Sequence, residues 1–370
     1  MIILSSGIGN YVNLGKTRYS YFGGNNYLGL ANHPELKKAA ISAIEKYGVN
    51  FSASRVTTGT SDLHIELEKQ LSKFKRKEDT ILFPSGYQGN TILIRALLKP
   101  DSAVLIDSFA HPSIGESIRG IVNNIGYYDH CDALHLETLL KRLPGKLSPI
   151  IITDGIFSLT GEIAPLNKIY ELAEQYNALI IVDDAHSTGI LGQNGLGTPE
   201  HFNLENAPEI YQTETLSKAL GSYGGFISAN KELIELLRKK SDIYKSSTSL
   251  PPHVIAAGIS SIRVITENPG LRIELINKAS YIKKEITDMG FVTTRDNTPI
   301  IPIFFDSAEK SISLSKFLKN NDTIVSATTD YPNNMKKQII RITASINHTD
   351  NQVYSLLELL KKWRNKNGTS

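Results

Sequence analysis

The chain has 370 residues, 41% hydrophobic and 21% charged, a composition that excludes a disordered or fibrous protein. Forty basic against 37 acidic residues leave a net charge of +3, so nothing calls for nucleic acid or an acidic membrane surface as a partner. Cys131 is the only cysteine, which rules out an intrachain disulfide and an all-cysteine metal site. The run from Met1 to Gly7 is too short and uncharged for a signal peptide, and no apolar stretch is long enough to span a bilayer. A cytoplasmic location is expected. The basic runs Lys73–Lys77 and Lys361–Lys366 read as solvated helix faces and a frayed end.

In chain order, the first thirty residues read as short strands and turns punctuated by Gly7, Gly9, Gly15, Gly23 and Gly24. His33-Pro34-Glu35 opens an amphipathic helix that carries Leu36, Ala39, Ala43 and Tyr47 and stops at Gly48. A second helix starts near Ser61-Asp62. Strands and helices then alternate: strand 80–83, helix 88–98, strand 103–107, helix 113–119, strand 149–154, helix 166–176, strand 178–182. Continuously apolar strands between helices predict a mainly parallel sheet covered on both faces. Ligands of such sheets bind outside the carboxyl ends of the strands, where polar residues converge. After Ser249-Leu250-Pro251-Pro252 the pattern changes to helices over 253–266 and 271–289, strands at 300–304 and 339–343, and a last helix carrying Val353, Leu356 and Leu360. The expected organisation is an amino-terminal arm (1–30), a large domain (31–251) and a smaller α+β carboxy-terminal domain (252–370).

Four strand ends carry candidate chemistry. Ser85-Gly86-Tyr87 joins a strand to a helix start, whose free amides and small residues suit a phosphate, although Tyr87 could equally be a core aromatic. His111 follows Asp107 and could stack on a flat ring or merely cap a helix. Ser158 follows Asp154 and could donate to a phenolate oxygen or close a turn. Asp183 and Asp184 end a buried strand just before His186, where two adjacent acids are costly unless partnered. A metal site of Asp183, Asp184 and His186 lacks a further His or Cys cluster, so no metal is expected. Lys218 lies among hydroxyls and glycines in Thr215-Leu216-Ser217-Lys218-Ala219-Leu220-Gly221. A carboxylate and a lysine presented together suit pyridoxal phosphate, the first on the pyridine nitrogen and the second on the aldehyde.

These loops occur in order with Asn25-Asn26-Tyr27-Leu28-Gly29-Leu30, Thr58-Gly59-Thr60-Ser61-Asp62-Leu63-His64, Ser247-Thr248-Ser249-Leu250-Pro251-Pro252 and Ile340-Arg341-Ile342-Thr343. Together they span nearly the whole chain, which resembles the α-oxoamine synthase family of fold type I, the aspartate-aminotransferase-like fold. The resemblance implies a homodimeric acyltransferase that uses pyridoxal 5'-phosphate to condense a small amino acid with an acyl-CoA, usually with decarboxylation. It implies that Lys218 bears the cofactor as a Schiff base and removes the α-proton, that Asp183 pairs with the pyridine nitrogen, and that His111 stacks on the ring. Ser158 and His186 would flank the phenolic oxygen. Ser85, Gly86 and Tyr87 would border the cofactor, Thr215 would reach its phosphate, and Thr248 that of the neighbouring subunit. Arg341 would grip the amino-acid carboxylate, with Asn25 close by. His111 could also donate to the thioester oxygen as charge develops.

The substrate pair stays open at this level. Compact size leans toward the biotin-pathway member, which joins alanine to a pimeloyl thioester. The Asn25–Pro34 run is more like the ligase that joins glycine to acetyl-CoA. Leu216-Ser217-Lys218 with Gly224-Gly225-Phe226 is similar to the palmitoyltransferase. An aminotransferase on the same fold is the alternative class.

Overall fold

The computed structural model describes residues 2–328 and 337–368. Its elements follow the sequence periodicity closely at first. A hairpin of β1 (Tyr11–Leu14) and β2 (Thr17–Phe22) precedes α1 (Pro34–Tyr47) and α2 (Asp62–Lys75). Pro34 opens α1 with its dihedral already set for a helix. Gly48 follows at φ +78, a conformation costly for other residues, and its N–H closes on the Ile44 carbonyl. Ser61 and His64 form a reciprocal capping box on α2.

The alternating region gives β3 (Asp79–Phe83), α3 (Gly86–Leu97), β4 (Ser102–Asp107), α4 (Pro112–Ile118), β5 (Asn124–Tyr128), α5 (Ala133–Arg142), β6 (Ser148–Asp154), α6 (Leu166–Tyr176) and β7 (Leu179–Asp183). It continues with α7 (Thr198–His201), β8 (Ile210–Thr215), β9 (Gly225–Ala229), α8 (Lys231–Lys240), α9 (Asp242–Ser246) and α10 (Pro252–Glu267). Then come α11 (Gly270–Asp288), β10 (Ile300–Phe305), α12 (Ala308–Asn320), β11 (Thr323–Thr328), β12 (Gln338–Thr343) and α13 (Asp350–Asn367). Among the described residues no helix is long and apolar enough to cross a membrane.

The chain packs as two units. The larger contains Pro34–Phe157 and Ile163–Glu267, the smaller Met1–His33, Ser158–Glu162 and Asn268–Ser370. The division falls after His33 and Glu267 rather than after residues 30 and 251, for two reasons. Helix α10 packs on α1 and α2. Strand β2 pairs in parallel with β11, so the amino-terminal hairpin extends the smaller unit's sheet.

The larger unit holds a seven-stranded sheet in the order β3-β9-β8-β7-β6-β4-β5, parallel except where β9 meets β3 and β8. The period of two along its strands feeds a core on each face. Val104, Ile106, Ile150, Ile152 and Ile181 pack with α3, α4 and α8 residues such as Leu93, Ile114 and Leu233. Leu105, Ile151, Ile180 and Val182 pack on the other face with Leu136 of α5 and Ile169 of α6. Each such buried side chain contributes roughly 1.5–3 kcal/mol. The chain leaves β4 outward to β5 and returns to β6 on the other side. That reversal puts a topological switch point, the preferred ligand crevice of open α/β sheets, at the carboxyl ends of β4 and β6.

The basic run at the end of α2 departs from the expected solvated face. Lys75 is buried and forms an ion pair with Glu214 of β8, also buried, while donating to the Leu196 carbonyl. Burial pushes the Glu214 carboxyl up, and Lys75 opposes that shift. The carboxy-terminal run departs similarly: α13 continues to Asn367, with Trp363 buried beside Phe291 and Phe305.

In the smaller unit the sheet order is β1-β2-β11-β12-β10. His348 is buried there; its Nδ1 accepts from the Ser345 amide at 3.0 Å and its Nε2 bonds to the Tyr21 carbonyl at 2.8 Å. That arrangement suits only the neutral ring, and burial holds its pKa at about 4 against an ordinary 6.5. Between these values the unfolded chain binds a proton that the folded one refuses, so stability falls as pH drops from 6.5 toward 4. Thermal unfolding across that window should show the loss, and His348→Gln, which cannot charge, should flatten its slope.

Candidate functional site

Every strand end singled out in the sequence lies on the carboxyl edge of the larger unit's sheet, apart from Ser158, which belongs to the short segment of the smaller unit. The register explains how distant residues meet. Phe83 of β3 and Thr215 of β8 both pair with Gly225, so the Ser85-Gly86 turn lies beside Thr215. A Cβ at Gly225 would sit 2.7 Å from the Gly86 nitrogen, and one at Gly86 would sit 3.2 Å from the Thr215 Cβ. Only glycines let the α3 start lie this close to the end of β8. Ser85 is the N-cap, its Oγ accepting from the Gln88 amide at 3.4 Å. Tyr87 is 48% exposed rather than in the core, and its ring meets that of His111 edge-on at 6.3 Å.

Lys218 sits in a loop closed by its own backbone. Leu216 N donates to Gly224 O at 2.9 Å, Gly221 N to Lys218 O at 3.0 Å and Ser222 N to Leu216 O at 2.9 Å. Gly221 (φ +61) and Gly224 (φ +111) take the left-handed dihedrals that the closure needs. The Thr215 hydroxyl donates to Gly224 O at 2.8 Å, which ties the loop to the end of β8.

His111 feels the charges of both Asp183 and Lys218. Burial lowers the His111 pKa; the nearby Asp183 charge raises it and Lys218 lowers it again. The Asp183 carboxylate accepts from the Ala185 amide at 3.1 Å and from Asn90 Nδ2 at 2.6 Å. Its neighbour Asp184 is fully buried and held by neutral donors: Thr198 N at 2.9 Å, Thr198 Oγ1 at 2.6 Å and Gln212 Nε2 at 2.6 Å. The two acids thus part company, one facing the crevice and one stapling the following loop. With the Asp184 carboxylate committed in this way, a metal held by Asp183, Asp184 and His186 has no support. His186 is buried in the turn between them and that loop. Thr248 bridges to Ser54 across two backbone segments.

Residues without an assigned role in the sequence complete the site. Asp154, paired in register with Asp183, accepts the His111 amide at 3.0 Å. Burial and the Asp183 charge push its carboxyl well above the usual range. Asn90 touches Asp183 directly. A polar residue one turn into a helix otherwise facing the sheet was the available signal, but its partners come from three other elements.

In the smaller unit Arg341 is buried on β12, between Pro302 and Ser326. Its Nη2 donates to Asn25 Oδ1 at 2.8 Å and to the Tyr27 hydroxyl at 3.3 Å. Burial raises the Tyr27 hydroxyl to about 12, with Arg341 pulling the other way. The Arg341 Nε is buried and has no hydrogen-bond partner. A guanidinium half-engaged in this way retains a donor for a carboxylate.

Asp107, His130 and Cys131 bring three possible metal-ligand atoms within 4.8 Å of one another. The Asp107 oxygens are already taken by His130 Nδ1 (2.9 Å) and by the amides of Phe109 (2.9 Å) and Cys131 (2.9 Å), an arrangement that fastens the β4 and β5 loops together.

A primary amine, a carboxylate, a flat imidazole and a glycine-lined helix start beside a threonine hydroxyl form the donor set that a phosphorylated pyridine aldehyde needs. Fold and site define an α/β enzyme of the aspartate-aminotransferase type. Residues 19–360 match the family model described as aminotransferase class I and II. The chain belongs to that family and, within it, to the α-oxoamine synthases. It is 39% identical over 340 residues to the 8-amino-7-oxononanoate synthase of Thermoanaerobacter pseudethanolicus, covering 91% of this chain and 86% of that protein. It is 37% identical over 339 residues to 8-amino-7-oxononanoate synthase 1 of Bacillus subtilis, covering 91% and 86%. Among solved structures, the serine palmitoyltransferase of Sphingomonas wittichii superposes with a TM-score of 0.94 at 26% identity, covering 99% of this chain and 92% of that one. The 8-amino-7-oxononanoate synthase of Francisella tularensis gives 0.80 at 26% identity, covering 94% and 98%.

Proposed function

We propose that this chain is a pyridoxal-phosphate-dependent C-acyltransferase that condenses alanine with a pimeloyl thioester, as an 8-amino-7-oxononanoate synthase. The observation that carries the chemistry is the carboxyl edge of the larger unit's sheet, where Asn90 holds the Asp183 carboxylate at 2.6 Å, Asp154 holds the His111 backbone at 3.0 Å, and His111 feels the charges of Asp183 and Lys218. The choice of substrates rests on the curated relatives, several of which carry that synthase's name at 34–39% identity over most of the chain.

Bound pyridoxal phosphate supplies an electron sink for a carbanion at the amino-acid α-carbon. The residues of the chain do the rest. Asp183 would hold the proton on the pyridine nitrogen, and the α3 start with Ser85, Gly86 and Thr215 would hold the phosphate. His111 would cover the ring, with Tyr87 beside it. Ser158 and His186 serve the phenolic oxygen. Lys218 would anchor the aldehyde, and its Nζ would be the base that takes the α-proton. Arg341 and Asn25 hold the amino-acid carboxylate. His111 then donates to the thioester oxygen as negative charge develops there. On this reading the working form is a homodimer in the cytoplasm, in which Thr248 would reach the phosphate held by the second copy.

The test is a matrix of glycine, alanine and serine against acetyl-, succinyl-, pimeloyl- and palmitoyl-thioesters, scored by released thiol. Alanine with the pimeloyl thioester should give the highest kcat/KM. Preference for serine with palmitoyl-CoA would overturn the substrate choice in favour of the activity named for the structural neighbour. Keto-acid-dependent amino transfer without thiol release would overturn the acyltransferase reading itself.

A further inference from the structure

We infer that Asn90 and Ser113 are positioning residues that lock His111 in the tautomer carrying its proton on Nε2 and tie that choice to the Asp183 carboxylate. The inference rests on the function proposed above for what His111 does with that proton, but not for the tautomer itself.

The argument is an accounting of donors and acceptors. The ionised Asp183 carboxylate can only accept, so the Asn90 atom 2.6 Å from its Oδ2 must be the amide nitrogen. That places the Asn90 carbonyl oxygen toward Thr213, whose hydroxyl donates to it at 2.5 Å. The amide orientation is thus set from both ends. The second N–H of Asn90 goes to Ser113 Oγ at 2.8 Å. Ser113 Oγ is then an acceptor on that side and must send its own proton elsewhere. His111 Nδ1 lies 2.7 Å away. The Ser113 backbone N–H also points at Nδ1, at 3.2 Å. A ring nitrogen that receives two donors cannot carry a proton of its own, so the neutral ring holds it on Nε2.

Burial favours this network over a looser one. Asn90 and Ser113 are almost wholly enclosed, so water cannot substitute for a lost partner. Ser113 is held in turn from α4 itself, where the Ser117 hydroxyl donates to the Ser113 carbonyl at 2.6 Å. The backbone of His111 is fixed separately by Asp154. The ring is therefore constrained at both its amide and its Nδ1, which leaves Nε2–H as its one free function. A donor is what an oxygen gaining negative charge requires. The opposite tautomer would present a bare nitrogen there.

Nitrogen-15 NMR of histidine-labelled protein, with no substrate present, reads the tautomer directly. The His111 resonances, assigned by their loss in His111→Asn, should show an unprotonated Nδ1 and a protonated Nε2. In Ser113→Ala, which removes one hydroxyl and keeps the helix, and in Asn90→Ala, Nδ1 should move toward the protonated range as the tautomers mix. In both variants kcat should fall about 10- to 100-fold, part of what a general acid contributes, with the KM for the amino acid nearly unchanged. A protonated Nδ1 in the unaltered protein, or an unchanged tautomer in both variants, overturns the inference. If the unaltered protein shows Nε2–H but no thiol release from any thioester, the proposed function falls and the assignment of the tautomer stands.

Discussion

Lys218→Ala should lower thiol release from amino acid and acyl thioester by more than about 10³-fold, because in the proposed mechanism Lys218 is both the anchor of the cofactor and the base for the α-proton. Fold and secondary structure should be intact, since backbone bonds from Leu216, Gly221 and Ser222 close the Lys218 loop. The variant should also lose the visible absorbance that pyridoxal phosphate gains on bonding to a lysine, while an unchanged circular dichroism spectrum separates this chemical defect from an unfolded protein. Lys218→Arg should behave alike, because it keeps the positive charge near His111 but offers no nucleophilic amine. Substantial turnover in either variant would remove Lys218 from the mechanism.

The second large effect is expected at Arg341. Arg341→Lys replaces a planar fork by a point charge and abolishes the Nε donor that is buried without a partner. A charged hydrogen bond contributes about 1.5–3 kcal/mol, so KM for the amino acid should rise roughly 10- to 150-fold. The KM for the thioester and the cofactor absorbance should change little, because Arg341 is proposed to meet only the amino-acid carboxylate. Asn25→Ala should give a smaller increase, since Asn25 orients the guanidinium through its 2.8 Å bond. A KM that moves for the thioester and not for the amino acid would reassign this arginine to the acyl substrate.

Much of the larger unit was legible in the sequence because its central strands are apolar without interruption. β4, β6 and β7 announce themselves in this way, and their helices carry a clear 3.6-residue stripe. Strands β8 and β9 do not. β8 reads Ile-Tyr-Gln-Thr-Glu-Thr, a polar string that resembles a loop until its partners are seen. Gln212 binds Asp184, Thr213 binds Asn90 and Glu214 pairs with Lys75. Polar residues enter a buried strand when other elements satisfy them, and periodicity carries no record of those partners. The same reason hid Lys75 among neighbouring charges that looked uniformly solvated.

The sequence by itself determined the chemistry at each strand end: an acid at Asp183, an imidazole at His111, an amine at Lys218 and a glycine turn at Gly86. Those assignments are local, because strand termination and the turn that follows it are written in a few adjacent residues. Only the tertiary structure decided which of these ends are neighbours, since strand order brings together residues more than a hundred positions apart. Asn90 is the sharpest instance. It lies in the first turns of a helix, yet its side chain joins β7, β8 and α4 through hydrogen bonds no longer than 2.8 Å. Directional bonds of that kind depend on side-chain placement to a fraction of an ångström, which packing decides and a one-dimensional pattern does not.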